Sequence, residues 1–375
     1  MARQGANKFL HKAKKSKSDE FYTQYIDIQN EVEAYLEFNP DTFRDKVVYC
    51  NCDDPFESNF FRYFVLNFER IGLKRLITTS YKPSPVANTQ LGLFGDNDTR
   101  KQKRGRPKIT ANKFIINSVG DIDGDGEFSL KDVALQLKQN KKNEWAPLVG
   151  DGDFRSAESI ELLKQADFVI TNPPFSLFRE FIKQLVVYDK KFLTIANINA
   201  ITYKEVFPLI KENEMWLGTG MGRWISGFIV PASYELYGTE TRIDEDGNRI
   251  VATNNCLWFT NLDHGKRHQP LPLMTMNDNI KFSSHKEIKG VGYIKYDNYD
   301  AIEVPYTDAI PSDYEDIMGV PITFLDKYNP EQFEIIGASD NGVIDEKYKL
   351  PHFKKHNEPY VNSQKVYKRI FIRKK

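Results

Sequence analysis

Between Ala166 and Val187 the sequence leaves little choice of structure. Ala166-Asp-Phe-Val-Ile-Thr171 is a short β-prone run, Asn172-Pro-Pro-Phe175 breaks it, and Ser176 to Val187 places Leu177, Phe178, Phe181, Ile182, Leu185 and Val186 at helical spacing. A buried strand, a two-proline turn and an amphipathic helix in that order are half of a parallel α/β unit. The same grammar occurs earlier in the chain. Asp45-Lys-Val-Val-Tyr-Cys-Asn-Cys52 reads as a buried strand stopped by Asp53-Asp54-Pro55; Ser58 caps a helix from Asn59 to Arg70, and Leu73 to Thr79 is the next strand. Phe192 to Ala196 adds another strand. Tyr203 to Glu212 reads as a helix kinked or split at Pro208, and Met215 to Val230 and Cys256 to Asn261 as strands, with a Gly-rich bend between Gly218 and Gly222.

The repeated order predicts an α/β fold built on a parallel sheet. From Lys82 to about Ala146 the pattern gives way to Pro-, Asn- and charge-rich sequence, which reads as an insertion, and beyond about 265 it becomes short β-like runs. The expected organisation is an N-terminal arm over 1–45, a main domain over 46–263 carrying the 82–146 insertion, and a further region over 264–375. A chain of 375 residues with 40% hydrophobic residues is long enough to bury a core, so wholesale disorder is excluded. No apolar run approaches the ~18 residues of a membrane span, and three cysteines without a Cys-x-x-Cys pair support no disulfide or zinc framework. A reducing cytoplasm is the expected compartment.

Net charge is zero, with 52 basic and 52 acidic residues, but the charge is unevenly spread. Residues 1 to 17, including Lys14 and Lys15, are basic without an acid, as are 100 to 113, and the C-terminus ends in a third basic block. Each is either a solvated edge or a contact to a polyanion such as DNA phosphate.

The turn itself carries chemistry. An aromatic amino group is a poor nucleophile because its lone pair is delocalised into the ring; two acceptors on its N–H bonds push density back to nitrogen. The side-chain oxygen of Asn172 and the carbonyl of Pro173 form such a pair, Pro174 fixes the turn, and Phe175 offers a face for an extruded base.

This turn, with the wider run Gly150-Asp-Gly-Asp-Phe-Arg-Ser156 to Asn172-Pro-Pro-Phe-Ser-Leu-Phe-Arg179, resembles the EcoRI-type adenine-specific DNA methyltransferases. Asp19-Glu-Phe-Tyr-Thr-Gln24, Val48-Tyr-Cys-Asn-Cys-Asp-Asp-Pro55, Ala200-Ile-Thr-Tyr-Lys-Glu205 and Gly319-Val-Pro-Ile-Thr-Phe-Leu-Asp326 extend the resemblance over most of the chain outside the insertion. It implies a Rossmann-like sheet, S-adenosylmethionine as methyl donor, duplex DNA as substrate, base flipping, and a C-terminal target-recognition region. It places Tyr22 and Thr23 in an N-terminal cofactor motif, and Asn51, Cys52, Asp53, Asp54 and Pro55 in the cofactor loop, which departs from the common pattern in lacking glycines. Asp153 would accept from the cofactor's adenine amino group, with Asp151 as rival, and Phe154 would pack on the ring. The second strand ends at Thr79-Ser80-Tyr81 without a carboxylate for the ribose.

Two segments of the insertion carry their own signals. Lys101-Gln-Lys-Arg-Gly-Arg-Pro-Lys108 looks like an AT-hook, whose Arg104 and Arg106 would lie along a narrow minor groove; the alternative is a basic linker. Asp121, Asp123, Asp125, Glu127 and Asp132 have the spacing of a calcium loop, or form an Asp/Gly turn capping a helix. His264 and His268 read as surface residues, and alternating Tyr293, Tyr296 and Tyr299 as packing. Two rivals stand beside DNA adenine methylation: methylation of RNA or of a protein glutamine, and a calcium-stabilised DNA-binding module with a vestigial pocket.

Overall fold

The computed structural model describes residues 22–52, 58–81, 111–126, 128–139, 142–220, 225–230, 241–244, 247–252, 255–339, 346–349 and 358–375. The chain divides into two units, one of residues 1–198 with 223–262, the other of residues 199–222 with 263–375. Among the described residues no helix is long and apolar enough to cross a membrane.

The first unit is built on a large mixed sheet. In chain order its elements are β1 (Tyr22–Thr23), α1 (Tyr25–Phe38), β2 (Val47–Cys50), α2 (Asn59–Leu66), β3 (Arg75–Thr79), β4 (Asn112–Ile116), α3 (Leu130–Gln139), β5 (Glu144–Pro147), α4 (Ala157–Gln165), β6 (Phe168–Thr171), α5 (Phe178–Val187), β7 (Lys191–Asn197), β8 (Phe228–Val230), β9 (Thr241–Ile243), β10 (Arg249–Val251) and β11 (Cys256–Thr260). The strands β5-β4-β3-β2-β6-β7-β11 lie side by side. The four central ones, β3, β2, β6 and β7, are parallel, and β4, β5 and β11 add antiparallel edges.

Burial explains why the central strands were legible as continuous apolar runs: every residue of β2 and β6 is buried, as parallel strands covered on both faces require. Helix α2 starts where Ser58 Oγ accepts from Phe61 N–H at 3.2 Å, satisfying one of the orphan donors of its first turn. Its Phe61 packs edge-on against Phe114 of β4, while Phe43 lies between Phe64 and Phe168 and joins helix to sheet.

Several elements differ from expectation. The helix from Asn59 stops at Leu66 instead of Arg70, because residues 67–72 form turns that end on Gly72 at φ +68°. At Pro208 the stretch is split and not kinked: the helix is only Phe207–Lys211, and Pro208 occupies its first turn, where its missing N–H costs nothing. Among the described residues, Met215 to Val230 holds two short strands, Trp216–Leu217 and Phe228–Val230. The segment 82–146 contributes β4 and β5 directly to the sheet edge.

The second unit has a five-stranded sheet in the order Ile294–Lys295, Ile302–Glu303, Met318–Pro321, Arg369–Lys374, Phe333–Ala338. Tyr296 and Tyr299 are buried against Phe371, as packing residues. Arg369 forms an ion pair with Glu303, whose carboxylate also takes the Tyr296 hydroxyl, so the charge is buried only with its partners. His264 departs from the surface expectation. It is 2% exposed, a ring nitrogen meets the Leu217 carbonyl at 3.0 Å, and burial pushes its pKa down to about 4.

Candidate active site

In a parallel sheet the carboxyl ends of the strands collect loops from both faces, and ligands bind there. In this sheet β2 and β6 are neighbours, so Asn51 and Cys52 after one and Asn172 after the other leave the same edge. A hydrogen bond fixes the two exits: Cys52 N–H donates to Thr171 Oγ1 at 3.2 Å, across 119 residues of sequence. Asn51 is buried, and its side-chain oxygen lies 3.6 Å from the Cys52 sulfur.

Asn172 and Pro173 are buried, and Pro174 has φ −56° and ψ 121°, which holds the chain extended before it turns. Leu177 N–H donates to the Pro174 carbonyl at 2.9 Å, closing a single 3-10 turn from Phe175 to Leu177 that leads into α5. Phe175 is partly exposed, and its ring meets Phe228 of β8 at a centroid distance of 6.0 Å and an angle of 61°.

Phe228 links this turn to the N-terminal motif. Thr23 pairs with Phe228 and Tyr22 with Ile229 in an antiparallel ladder, and Asn59 Nδ2, in the first turn of α2, donates to the Thr23 carbonyl at 2.8 Å. The entry to α1 is tied to the same strand: Gln24 donates to Ser226 Oγ at 2.6 Å, and Asp27 accepts from the N–H and hydroxyl of Ser226 at 3.0 and 2.9 Å. The structure thus gathers Tyr22, Thr23, Asn51, Cys52 and Asn172 to Phe175 from three separate stretches of chain. Thr23 Oγ1 is buried and has no hydrogen-bond partner among the described residues. A buried hydroxyl without a partner is costly unless a bound group supplies one.

The loop before α4 covers the next strand end. Gly152 has φ +81°, and a Cβ there would overlap the Ser80 carbonyl oxygen at the end of β3, so only glycine fits so close to that strand. Asp153 is held by Arg155, whose guanidinium draws the carboxyl below its ordinary pKa. Phe154 is 4% exposed and packs edge-on against Phe181 of α5 at 5.3 Å. Asp151 Oδ1 accepts from the Asp153 N–H at 3.1 Å.

The acidic loop after β4 is separate. Asp121, Asp123 and Asp132 present carboxylate oxygens within 4.8 Å of one another. Those oxygens are engaged locally. Asp121 accepts from Gly124 and Gly126 N–H at 2.7 and 2.8 Å, and Asp132 accepts from Ile122, Asp123 and Ser129 N–H at 2.7, 3.2 and 2.9 Å. These bonds hold the Asp132 carboxyl down to about 2. Ser129 and Asp132 form a capping box at the start of α3, and Lys131 pairs with Asp123. Asp125 Nα–H donates to Asp123 Oδ1 at 3.3 Å.

Asp53, Asp54, Pro55, Lys14, Lys15, Arg104, Arg106 and Glu127 lie outside the described residues. Sequence reasoning assigned no role to Phe228, Asn59, Ser226 or Arg155. Phe228 is 53 positions from Phe175 and carries no motif, so only strand pairing reveals it.

A sequence model of the family described as "Adenine-specific methyltransferase EcoRI" matches residues 9–375. The Type II methyltransferase M.EcoRI of Escherichia coli is 53% identical over 340 residues, covering 90% of each chain. The Type II methyltransferase M.MpnI of Mycoplasma pneumoniae is 35% identical over 335 residues, 89% of this chain and 86% of that one. The Type II methyltransferase M.MgeORF184P of Mycoplasma genitalium is 33% identical over 372 residues, 97% and 98% of the two chains. No solved structure matches the chain. The class is therefore that of the adenine-specific methyltransferases, and membership implies S-adenosylmethionine as methyl donor. Within that class, the chain belongs to the EcoRI methylase family.

Proposed function

We propose that the protein methylates the exocyclic amino group of adenine at a specific sequence in duplex DNA, as the modification partner of a restriction system, and that Asn172 to Phe175 form the catalytic turn. The observation that carries this reading is the convergence of the turn with Asn51 and Cys52 at one sheet edge, and with Thr23 through Phe228, in a chain of the EcoRI methylase family.

S-adenosylmethionine supplies an electrophilic methyl group on a sulfonium. The chain positions the other reactant. The Asn172 side-chain oxygen and the Pro173 carbonyl accept the two N–H bonds of a flipped adenine, returning lone-pair density to the nitrogen; Phe175 stacks the ring, with Phe228 supporting it from the side. As the new N–C bond forms and the C–S bond breaks, the nitrogen becomes cationic, so the same two acceptors stabilise the transition state and the nitrogen then releases a proton. Burial of Asn172 keeps water from weakening those contacts.

For the methyl donor, Tyr22, Thr23, Asn51 and Cys52 would flank the methionine end, together with Asp53, Asp54 and Pro55. The Thr23 hydroxyl supports this, being a buried group that a ligand would satisfy. Asp153 and Phe154 would serve the adenine end. We read the parallel core β3-β2-β6-β7 as a Rossmann-like methyltransferase sheet, residues 264–375 as the target-recognition region, and Lys14, Lys15, Arg104 and Arg106 as phosphate or minor-groove contacts. A calcium ion at Asp121, Asp123, Asp125, Glu127 and Asp132 would be structural, since methyl transfer from a sulfonium needs no metal. Acting on the chromosome, such an enzyme works in the cytoplasm.

The test is incubation with tritiated S-adenosylmethionine and separate plasmid DNA, total RNA and protein acceptors, followed by digestion of labelled DNA to nucleosides. Label is expected in methyladenine and lost by about 10³-fold or more in an Asn172→Ala variant of native circular dichroism. Label only in RNA or protein would overturn the DNA reading. Duplex binding with no label in any acceptor would leave a DNA-binding module.

A further inference from the structure

Asp153 Oδ1 accepts from the Arg155 backbone N–H at 2.8 Å and from its Nε at 2.9 Å, while Oδ2 accepts from Nη2 at 2.6 Å. The remaining guanidinium nitrogen, Nη1, donates to Glu180 of α5 at 2.7 Å. One turn further along that helix, Gln184 Nε2 donates to the Phe154 carbonyl at 3.1 Å, and Phe181 packs on the Phe154 ring between them. The loop that covers β3 is therefore fastened to the helix that begins at the Asn172 turn by three consecutive residues, Asp153, Phe154 and Arg155.

Stability does not account for this fork. The side chains of Arg155 and Glu180 are 46% and 57% exposed, and ion pairs so open to water contribute little to folding. What a bidentate guanidinium supplies is direction: its planar fork fixes the plane of the carboxylate, and Oδ2, which takes a single donor, keeps a further lone pair for another. Asp153, at 19% side-chain exposure, is the less exposed partner.

We infer that Arg155 is a positioning residue for the methyl donor. Braced on Glu180, it aims the Asp153 carboxylate so that this accepts the exocyclic amino group of the donor's adenine, and it ties that contact to the helix of the catalytic turn. The inference rests on the proposed reading of Asp153 and Phe154 as the adenine end of the donor site.

The test compares two probes by calorimetry on the full chain: S-adenosylhomocysteine, and its analogue with hydrogen in place of the exocyclic amino group. The wild type should prefer the first by about 10- to 100-fold, the usual effect of losing one hydrogen bond to a charged acceptor. Arg155→Met should weaken S-adenosylhomocysteine by about tenfold and leave the analogue nearly unchanged, collapsing the ratio. Glu180→Gln should do the same to a smaller degree, and Arg155→Lys should restore part of the preference. In methylation assays KM for the donor should rise while kcat changes little. A merely structural role would weaken both probes equally, and that result overturns the inference, as does an unchanged or increased ratio in Arg155→Met and Glu180→Gln variants that fold. A wild type that binds both probes alike sinks the adenine role of Asp153 and the inference with it. Binding of neither refutes the donor site itself.

Discussion

The loop from Asp121 to Asp132 and the turn from Asn172 to Phe175 each deliver the chain into a helix, yet they are held by opposite means. In the loop, the carboxylates of Asp121 and Asp132 take backbone N–H groups no more than ten residues away. At the turn, the contacts cross the molecule: Thr171 holds Cys52, Phe175 meets Phe228, and Phe228 pairs with Thr23. Local contacts close at small entropic cost, whereas contacts between distant residues require the whole sheet to be in place. A local motif therefore explains itself as a cap, while a convergence of distant polar and aromatic groups calls for a ligand.

Glycine substitution sharpens the contrast most strongly. Gly152 and Gly126 have similar backbone conformations, φ +81° and +90°, but a Cβ at Gly152 would strike the Ser80 carbonyl while one at Gly126 meets nothing within 4 Å. Both Gly→Ala changes carry the left-handed penalty of about 1–2 kcal/mol. Only Gly152→Ala must also move the loop off β3. It is expected to lower the affinity for S-adenosylhomocysteine by tenfold or more, beyond its effect on thermal unfolding, whereas Gly126→Ala should leave affinity unchanged. Equal loss of affinity in the two variants would erase the distinction.

What the sequence disclosed follows the same division. The strands at 47–50, 168–171 and, from Phe192 to Ala196, 191–197 were readable because both their faces are buried, so their runs are apolar or β-prone throughout. The Ser58 cap and the Asn172 turn were readable because their signals span a few residues. The two antiparallel strands at one end of the sheet, Asn112–Ile116 and Glu144–Pro147, were not: only two of the five residues in the first are buried, and Pro147 and the charges of Lys113 and Glu144 disguise them. Phe228 and Arg155 stayed hidden for a different reason. Their roles exist only after β8 pairs with β1 and α5 packs on the 152–155 loop, and no spacing in the chain encodes either event.

A smaller effect is expected from Asp132→Ala, which removes the acceptor of the capping box at α3. Loss of such a cap costs about 1 kcal/mol, measurable by urea unfolding at pH 7. Its folded pKa of about 2 lies below the ordinary 3.8, so the carboxylate's stabilisation is fully present above the unfolded value and is lost as pH falls from about 4 through 2. The gap between wild type and Asp132→Ala should therefore narrow over that window. A gap that stays constant would mean that Asp132 acts through packing and not through its charge. Methylation at neutral pH should be the same in both, because the loop's contacts are its own.

The size of any calcium effect separates the two descriptions of the loop. Three carboxylates within 4.8 Å favour a cation, but Lys131 already neutralises Asp123, and the oxygens of Asp121 and Asp132 are engaged by N–H groups that an ion must share or displace. Millimolar calcium is accordingly expected to raise unfolding stability by about 1.4 kcal/mol at most, the increment at tenfold saturation of a weak site, and the increment should vanish in Asp121→Asn. Absence of any shift would leave the loop as a helix cap alone. The methylation rate is the more searching readout. A chelator should leave it unchanged, since no ligand of the loop comes from the Asn172 turn. A rate that follows calcium would show the two regions to be energetically coupled, and the distinction between a self-contained cap and a long-range site would fail.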